Sequence, residues 1–144
     1  MKIVNRRAYH DYHILEKFEV GIELNGPEVK SIKKGRMSLR NGFIKLKEGQ
    51  AFLINAHIPP YEFASQRNYE PCRTRRLLLH KKEIISLATK MRQKRLTLTP
   101  LSCYTKGPWI KLEIALAKAK KKYEKKEAKK KRDLERELER ELRG

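Results

Sequence analysis

The sequence predicts a mainly β fold with small helices, in which about six short strands close into a small barrel and a basic C-terminal tail follows. Three features point there. Apolar and polar residues alternate over short runs. Gly, Pro and Asn punctuate those runs at short intervals. After Ala117 the chain becomes almost wholly charged, so the part that buries a core ends there. The expected division is residues 1–117 for the barrel and 118–144 for the tail.

Asn5 to Asp11 reads as a short helix capped by Asn5. Tyr12 to Leu24 then alternates, with Ile14, Phe18, Val20, Ile22 and Leu24 on one face and Lys17, Glu19 and Glu23 on the other. Gly21 inside that strand suggests a bulge or tight bend. Asn25-Gly26-Pro27 is a turn, after which Glu28 to Ile32 reads as a second strand, ended by Gly35. Phe43 to Lys47 and Ala51 to Ile58 read as a hairpin around Glu48-Gly49-Gln50. A polar loop with Tyr61, Phe63 and Tyr69 leads to a basic knot of Arg73, Arg75 and Arg76. Lys81 to Arg95 is a helix, because Ile84, Leu87, Ala88 and Met91 recur at helical spacing. Leu96 to Tyr104 is a strand in which Pro100 implies an edge or a bulge, and Trp109 to Leu116 is the last strand. An OB-like closed barrel fits this order.

In the tail, Lys118 to Arg132 holds nine Lys and one Arg against Glu124 and Glu127. Nothing in it forbids a helix and little in it drives one, so it reads as a frayed helix or coil until a polyanion neutralises it. Beyond it, Leu134, Leu138 and Leu142 recur every four residues with Arg132, Arg136 and Arg140. On a helix these make one apolar and one basic stripe.

Charge narrows the function. The formal net charge is +19, from 36 basic and 17 acidic residues. The excess is one-sided in both body and tail, which favours a polyanionic partner over a merely ion-paired surface. Nucleic acid fits better than an anionic membrane, because no amphipathic face with Trp or Phe adjoins the Lys run. No apolar run is long enough to span a bilayer, and MKIVNRR has no secretory h-region. Cys72 and Cys103 stand apart without a CxxC motif. These features imply a reducing cytoplasm.

Catalysis is poorly supplied. Asp occurs only at Asp11 and Asp133, too few for a carboxylate two-metal site. His10 and His13 would point to opposite faces of an extended segment, so no metal is expected. Ser31, Ser38 and Ser65 lack a nucleophile elbow, and no Gly-rich phosphate loop precedes a helix. The reading is a binding protein without catalytic activity or cofactor. His57 and His80 read as one structural and one RNA-facing histidine. Tyr9, His10, Tyr12 and His13 sit beside Arg6 and Arg7, a mixture that can stack on unpaired bases and hold phosphates. The alternative for Tyr12 is a residue at the core's edge. At least one of Arg73, Arg75 and Arg76 is expected on a phosphate, and Lys30, Lys33, Lys34 and Arg36 form a third basic cluster.

The order of motifs resembles the small protein B family. The blocks are Asn5-Arg6-Arg7-Ala8, His10-Asp11-Tyr12, Gly26-x-Glu28-Val29-Lys30-Ser31, His57-Ile58, Pro60-Tyr61-Glu62, Arg73-x-Arg75-x-Leu77-Leu78-Leu79-His80, Leu98-x-Pro100-Leu101, Leu116-Ala117-x-Ala119-Lys120-Lys121 and Tyr123-Glu124-Lys125-Lys126-Glu127. Gly21 and Gly35-Arg36 also match. They span almost the whole chain. The resemblance implies an OB-like barrel that binds the tRNA-like domain of transfer-messenger RNA near its elbow and D-loop. It further implies a monomer that enters stalled ribosomes with that RNA, standing in for the missing anticodon stem-loop. The tail would then fold as a helix in the decoding centre and the empty mRNA channel.

Carried onto this sequence, the RNA face comprises His10, Tyr12, Glu19, Lys30, Leu78 and His80, to which the basic knot adds Arg73, Arg75 and Arg76. The ribosome-contacting tail residues are Lys120, Lys121, Tyr123, Lys125, Lys126 and Arg132. The chain departs from the family pattern at Ala119, where Gly is usual, at Lys122, commonly neutral, at Lys126, usually Arg, and at Glu70-Pro71, commonly Asp-Pro.

Overall fold

The computed structural model describes residues 1–65 and 67–143; Gln66, in the expected polar loop, and Gly144, the last residue of the expected tail, lie outside the described residues. The chain runs β1 (Lys2–Val4), α1 (Arg6–Asp11), β2 (Tyr12–Ile22), α2 (Gly26–Lys33), β3 (Phe43–Lys47), β4 (Gln50–Ile54), β5 (Arg75–Leu78), α3 (Lys81–Lys94), β6 (Thr97–Lys106), β7 (Trp109–Ala119) and α4 (Lys122–Arg143). The strands form one antiparallel seven-stranded sheet in the order β1-β6-β7-β2-β5-β4-β3. Its inner face buries Leu53, Leu98, Leu112, Ile114 and Leu116 together with Ile32 from α2 and Leu87 from α3.

The expected barrel is not closed. Among the described residues the sheet has two free edges, β1 and β3, with no ladder between them. The sheet does curl: a Cβ on Gly42, just before β3, would lie 3.6 Å from Pro100 Cγ on β6. On the outer edge of β6, β1 pairs only with Ser102–Tyr104, with Lys2 opposite Tyr104 and Val4 opposite Ser102, and β3 approaches the strand near Pro100 without pairing to it.

Glu28 to Ile32 is helical rather than extended. Asn25 Oδ1 accepts the Glu28 N–H at 3.0 Å and Glu28 Oε1 accepts the Asn25 N–H at 3.1 Å. This reciprocal pair is a capping box, and Pro27 in the first turn suits it. The box wins over the local alternation that suggested a strand.

The bulges also fall in particular places. In β2 the register against β7 shifts between Ile14 and Glu16, leaving Leu15 exposed. Gly21, where a bulge was expected, is regularly paired with Lys111 and Leu78. Pro100 does mark a bulge, in a strand paired on both sides. There Leu101 O turns to accept the Asn5 N–H at 2.7 Å, which ties α1 to the sheet. Asn5 stands at the helix start without a side-chain cap bond. Its Nδ2 instead donates to Pro100 O at 2.8 Å and Leu39 O at 3.2 Å.

Candidate nucleic-acid interface

Strand parity sorts the basic knot. In β5 the side chains alternate in and out, so Arg75 and Leu77 face the core while Arg76 and Leu78 face outward. Arg76 pairs with Glu23 at 3.1 Å and stays half-exposed. Leu78 is 50 % exposed. Its side chain lies over Gly21, where an added Cβ would sit 3.1 Å from Leu78 Cδ1. Glu19 and Gly21 share the outward face of β2 by the same parity, and Glu23 follows just beyond its end, so Glu19, Leu78 and Arg76 belong to one surface. His80, exposed at the start of α3, lines a shallow groove with Arg76, Leu78 and Gly49. Its N–H donates to Glu83 Oε1 at 3.1 Å, which fixes the turn from β5 into α3.

Glu19 is held within the protein. It accepts from Tyr104 Oη, and from Lys106 Nζ at 3.0 Å. The Tyr104 hydrogen bond, followed by that of Lys106, keeps its carboxyl below the usual range.

Arg75, expected on the RNA face, is turned into the core instead. It is fully buried. Its Nε donates to Glu28 Oε2 at 2.9 Å, Nη1 to Ala56 O at 2.8 Å and Nη2 to Pro71 O at 3.0 Å. Arg73 donates to the other oxygen of Glu28 while leaving 41 % of its side chain exposed. Burial pushes the Glu28 carboxyl up, but hydrogen bonds from Arg73, the Asn25 N–H and Arg75 outweigh it, so the group sits below its ordinary value. Three cations in four residues thus divide into one buried strut, one half-shared and one outward-facing.

A second neighbourhood gathers where α1 meets the tail. Tyr12 is half-buried against Ala8, Leu101 and Ala115, so the core-edge reading holds for its ring. The Asp11 carboxylate collects His10 Nδ1 at 2.9 Å, Arg7 Nε at 3.3 Å and Lys125 Nζ at 3.5 Å. The His10 hydrogen bond is the largest influence and, with Lys125 and Arg7, keeps Asp11 below its ordinary value despite burial. His13 pairs with Glu124, so the two histidines engage different carboxylates. Among the described residues no group of three or more His, Cys, Asp and Glu could hold a metal.

The strand before the tail runs to Ala119, three residues beyond the expected Leu116, because Lys118 and Ala119 still pair with His13 and Tyr12. The Lys120 N–H then donates to Asp11 O at 2.8 Å, and its Nζ to Tyr9 O at 3.2 Å. The Lys121 N–H donates to Glu124 Oε1 at 3.2 Å, closing the first turn of α4. Lys121, Tyr123 and Lys126 are exposed. Lys125 is half-buried, and Arg132 lines a hollow with Tyr9, His10 and Lys120.

Lys30, on α2, belongs to a third neighbourhood. Its Nζ lies 5.2 Å from the Tyr61 ring centroid, and Lys34 Nζ lies 5.1 Å from the same ring and 5.5 Å from Phe63. The two rings meet edge to face at 5.5 Å, and Phe63 is 78 % exposed. Tyr61 and Phe63 were visible only as aromatics in a polar loop. An exposed Phe63 and a half-buried Tyr61 under two ammonium groups are a better base-stacking platform than that pattern suggested.

The chain matches the family described as SmpB protein over residues 2–144. It is 56 % identical over 117 residues to an SsrA-binding protein of Carboxydothermus hydrogenoformans, covering 81 % of this chain and 78 % of the relative. It is 54 % identical to an SsrA-binding protein of Pelotomaculum thermopropionicum over 117 residues, 81 % of this chain and 76 % of the relative. A solved structure described as "tmRNA-SmpB: a journey to the center of the bacterial ribosome" superposes with a TM-score of 0.69 at 44 % identity, covering 84 % of this chain and 85 % of that one. With outward basic and aromatic neighbourhoods on an antiparallel sheet, and a match over nearly its whole length, this chain belongs to the SmpB protein family.

Proposed function

We propose that this chain binds the tRNA-like domain of transfer-messenger RNA and delivers it to stalled ribosomes for trans-translation, replacing the missing anticodon stem-loop. The observation that carries the reading is the outward surface of β2 and β5. Arg76, Leu78 and His80 stand exposed there around a groove, within a family whose relatives are SsrA-binding proteins. An apolar side chain and a guanidinium on β5, with an imidazole at the adjoining start of α3, suit an unstacked RNA loop: one contacts base faces, the others hydrogen-bond edges and phosphates. Glu19 adds to this face, and in this reading His10 and Tyr12 beside the tail, and Lys30 and Arg73 around α2, make further contacts with the same RNA. Arg75 holds the strand that presents it.

The chain divides functionally at the end of β7, with the sheet for transfer-messenger RNA and the tail for the ribosome. Helix α4 has 22 residues, about 33 Å of length. In this reading Lys120, Lys121, Tyr123, Lys125, Lys126 and Arg132 meet rRNA at the decoding centre and the empty mRNA channel. The protein acts by binding rather than by catalysis, as a monomer, in the cytoplasm.

A gel-shift with transfer-messenger RNA against equal masses of bulk tRNA and duplex RNA tests this. At about 0.2 M salt pure phosphate attraction is strongly weakened. A clear preference for transfer-messenger RNA is expected. Equal binding to all three would replace recognition with general RNA coating.

A further inference from the structure

A hollow of about 420 Å³ lies between α1, β6 and the start of β3, away from the groove at His80. Its size falls within the roughly 300–1,000 Å³ of small-ligand clefts. Its walls carry what a nucleotide needs. Phe43, on edge strand β3, lines it and is 48 % exposed, and Tyr12 lines it as well. Arg40 is exposed and has no ion pair among the described residues. Arg7 is preset beside it, with Nη1 at 3.3 Å from Asn41 Oδ1 and Nε at 3.3 Å from Asp11.

The amides on its rim are held in place too. Asn55 adopts a left-handed φ of 62°, and its Nδ2 donates to Asn41 O at 3.3 Å. Asn5 is a further lining residue, only 5 % exposed. Its Nδ2 is doubly satisfied, whereas its Oδ1 is buried without a donor. Buried acceptors normally have partners, and this one belongs to a residue that lines the hollow.

We infer that this hollow is a site for one unpaired nucleotide of a bound RNA. The base lies on Phe43, the phosphate meets Arg40 and Arg7, and the amides of Asn41 and Asn55 read the base edge. Stacking selects a ring, and the two guanidinium groups select an anion beside it. Neither feature alone distinguishes a nucleotide, and together they do. The inference rests on the RNA-binding reading above and adds a second contact point to it.

The experiment titrates the ¹⁵N-labelled full chain with AMP, GMP, CMP and UMP, and separately with inorganic phosphate, following the side-chain amide signals of Asn5, Asn41 and Asn55. At least one nucleotide should shift these signals where phosphate does not, and Phe43→Ala should weaken that nucleotide about tenfold, as for loss of a base-stacking ring. Phe43 is half-exposed on an edge strand, so its truncation leaves the fold intact; unchanged backbone signals elsewhere check this. No shift, or equal shifts with inorganic phosphate, overturns the site. A chain that prefers transfer-messenger RNA in the gel-shift yet shows no nucleotide-specific shift loses only this inference. A chain without that preference loses the larger reading.

Discussion

The cluster around Glu28 and the helix α4 are both built from charge, and they treat it in opposite ways. Around Glu28 every charge has a partner. Both carboxylate oxygens accept from arginines, and Arg75 spends its remaining donors on Ala56 O and Pro71 O. The cost of desolvating Glu28 and Arg75 is offset by these bonds, although Arg73 Nε is buried without a partner. Along α4 most of the described charges are exposed, and Glu124 and Lys125 in its first turn pair with His13 and Asp11 of the body. Charge completed inside the protein positions strands. Charge left at the surface is available to another polyanion.

The comparison breaks most sharply at Glu28. Glu28→Ala leaves Arg75 buried and unpaired, and should cost about 3–5 kcal/mol, as for other broken buried pairs. Urea unfolding reads this directly. A loss below about 1 kcal/mol would mean the cluster behaves like a surface pair. The same carboxyl gives a pH signature. Its folded value lies below its ordinary 4.5, so its stabilisation is complete above that value and is lost as pH falls through the folded one. The unfolding midpoint should therefore fall on acidification below about pH 4.5, and Glu28→Gln should flatten that part of the profile.

A smaller effect is expected at Gly21. A side chain there meets Leu78 at 3.1 Å, but Leu78 is half-exposed and can swing away. Gly21→Ala should cost about 1 kcal/mol or less, at the low end for overpacking, yet weaken RNA binding by displacing Leu78. Unchanged affinity at normal stability would remove Leu78 from the RNA face.

The smallest effect belongs to the docking of α4. His13–Glu124 and Asp11–Lys125 are surface pairs, and the His13 hydrogen bond holds the Glu124 carboxyl below its ordinary value. Acid or added salt should loosen the helix from α1 while the sheet stays folded, seen as faster amide exchange confined to the first turn of α4.

Much of this was legible in the sequence because it is local. The β3–β4 hairpin, α3 and the Pro100 bulge all follow from periodicity and turn residues within a few positions. What failed was non-local or very short. Three residues of β1 are too few to show a period, yet they add a seventh strand on the outer edge of β6. Strand β5 was hidden by its own arginines, since an Arg facing the core is invisible until its partner is known. That partner, Glu28, was itself assigned to a strand. The Asn25-to-Glu28 spacing that caps α2 was in plain view and outweighed by the alternation after it. Site residues divided in the same way: their chemistry could be read from residue type, and their facing only from the register of β2 against β5.

The central claim is that the sheet holds transfer-messenger RNA and the tail serves the ribosome. The most direct test is the transfer-messenger RNA affinity of a chain ending at Ala119, where β7 ends, at about 0.2 M salt. Affinity close to that of the full chain, with tagging on stalled ribosomes abolished, is the predicted result. Loss of RNA binding by this shortened, folded chain would place the recognition in α4 and contradict the account.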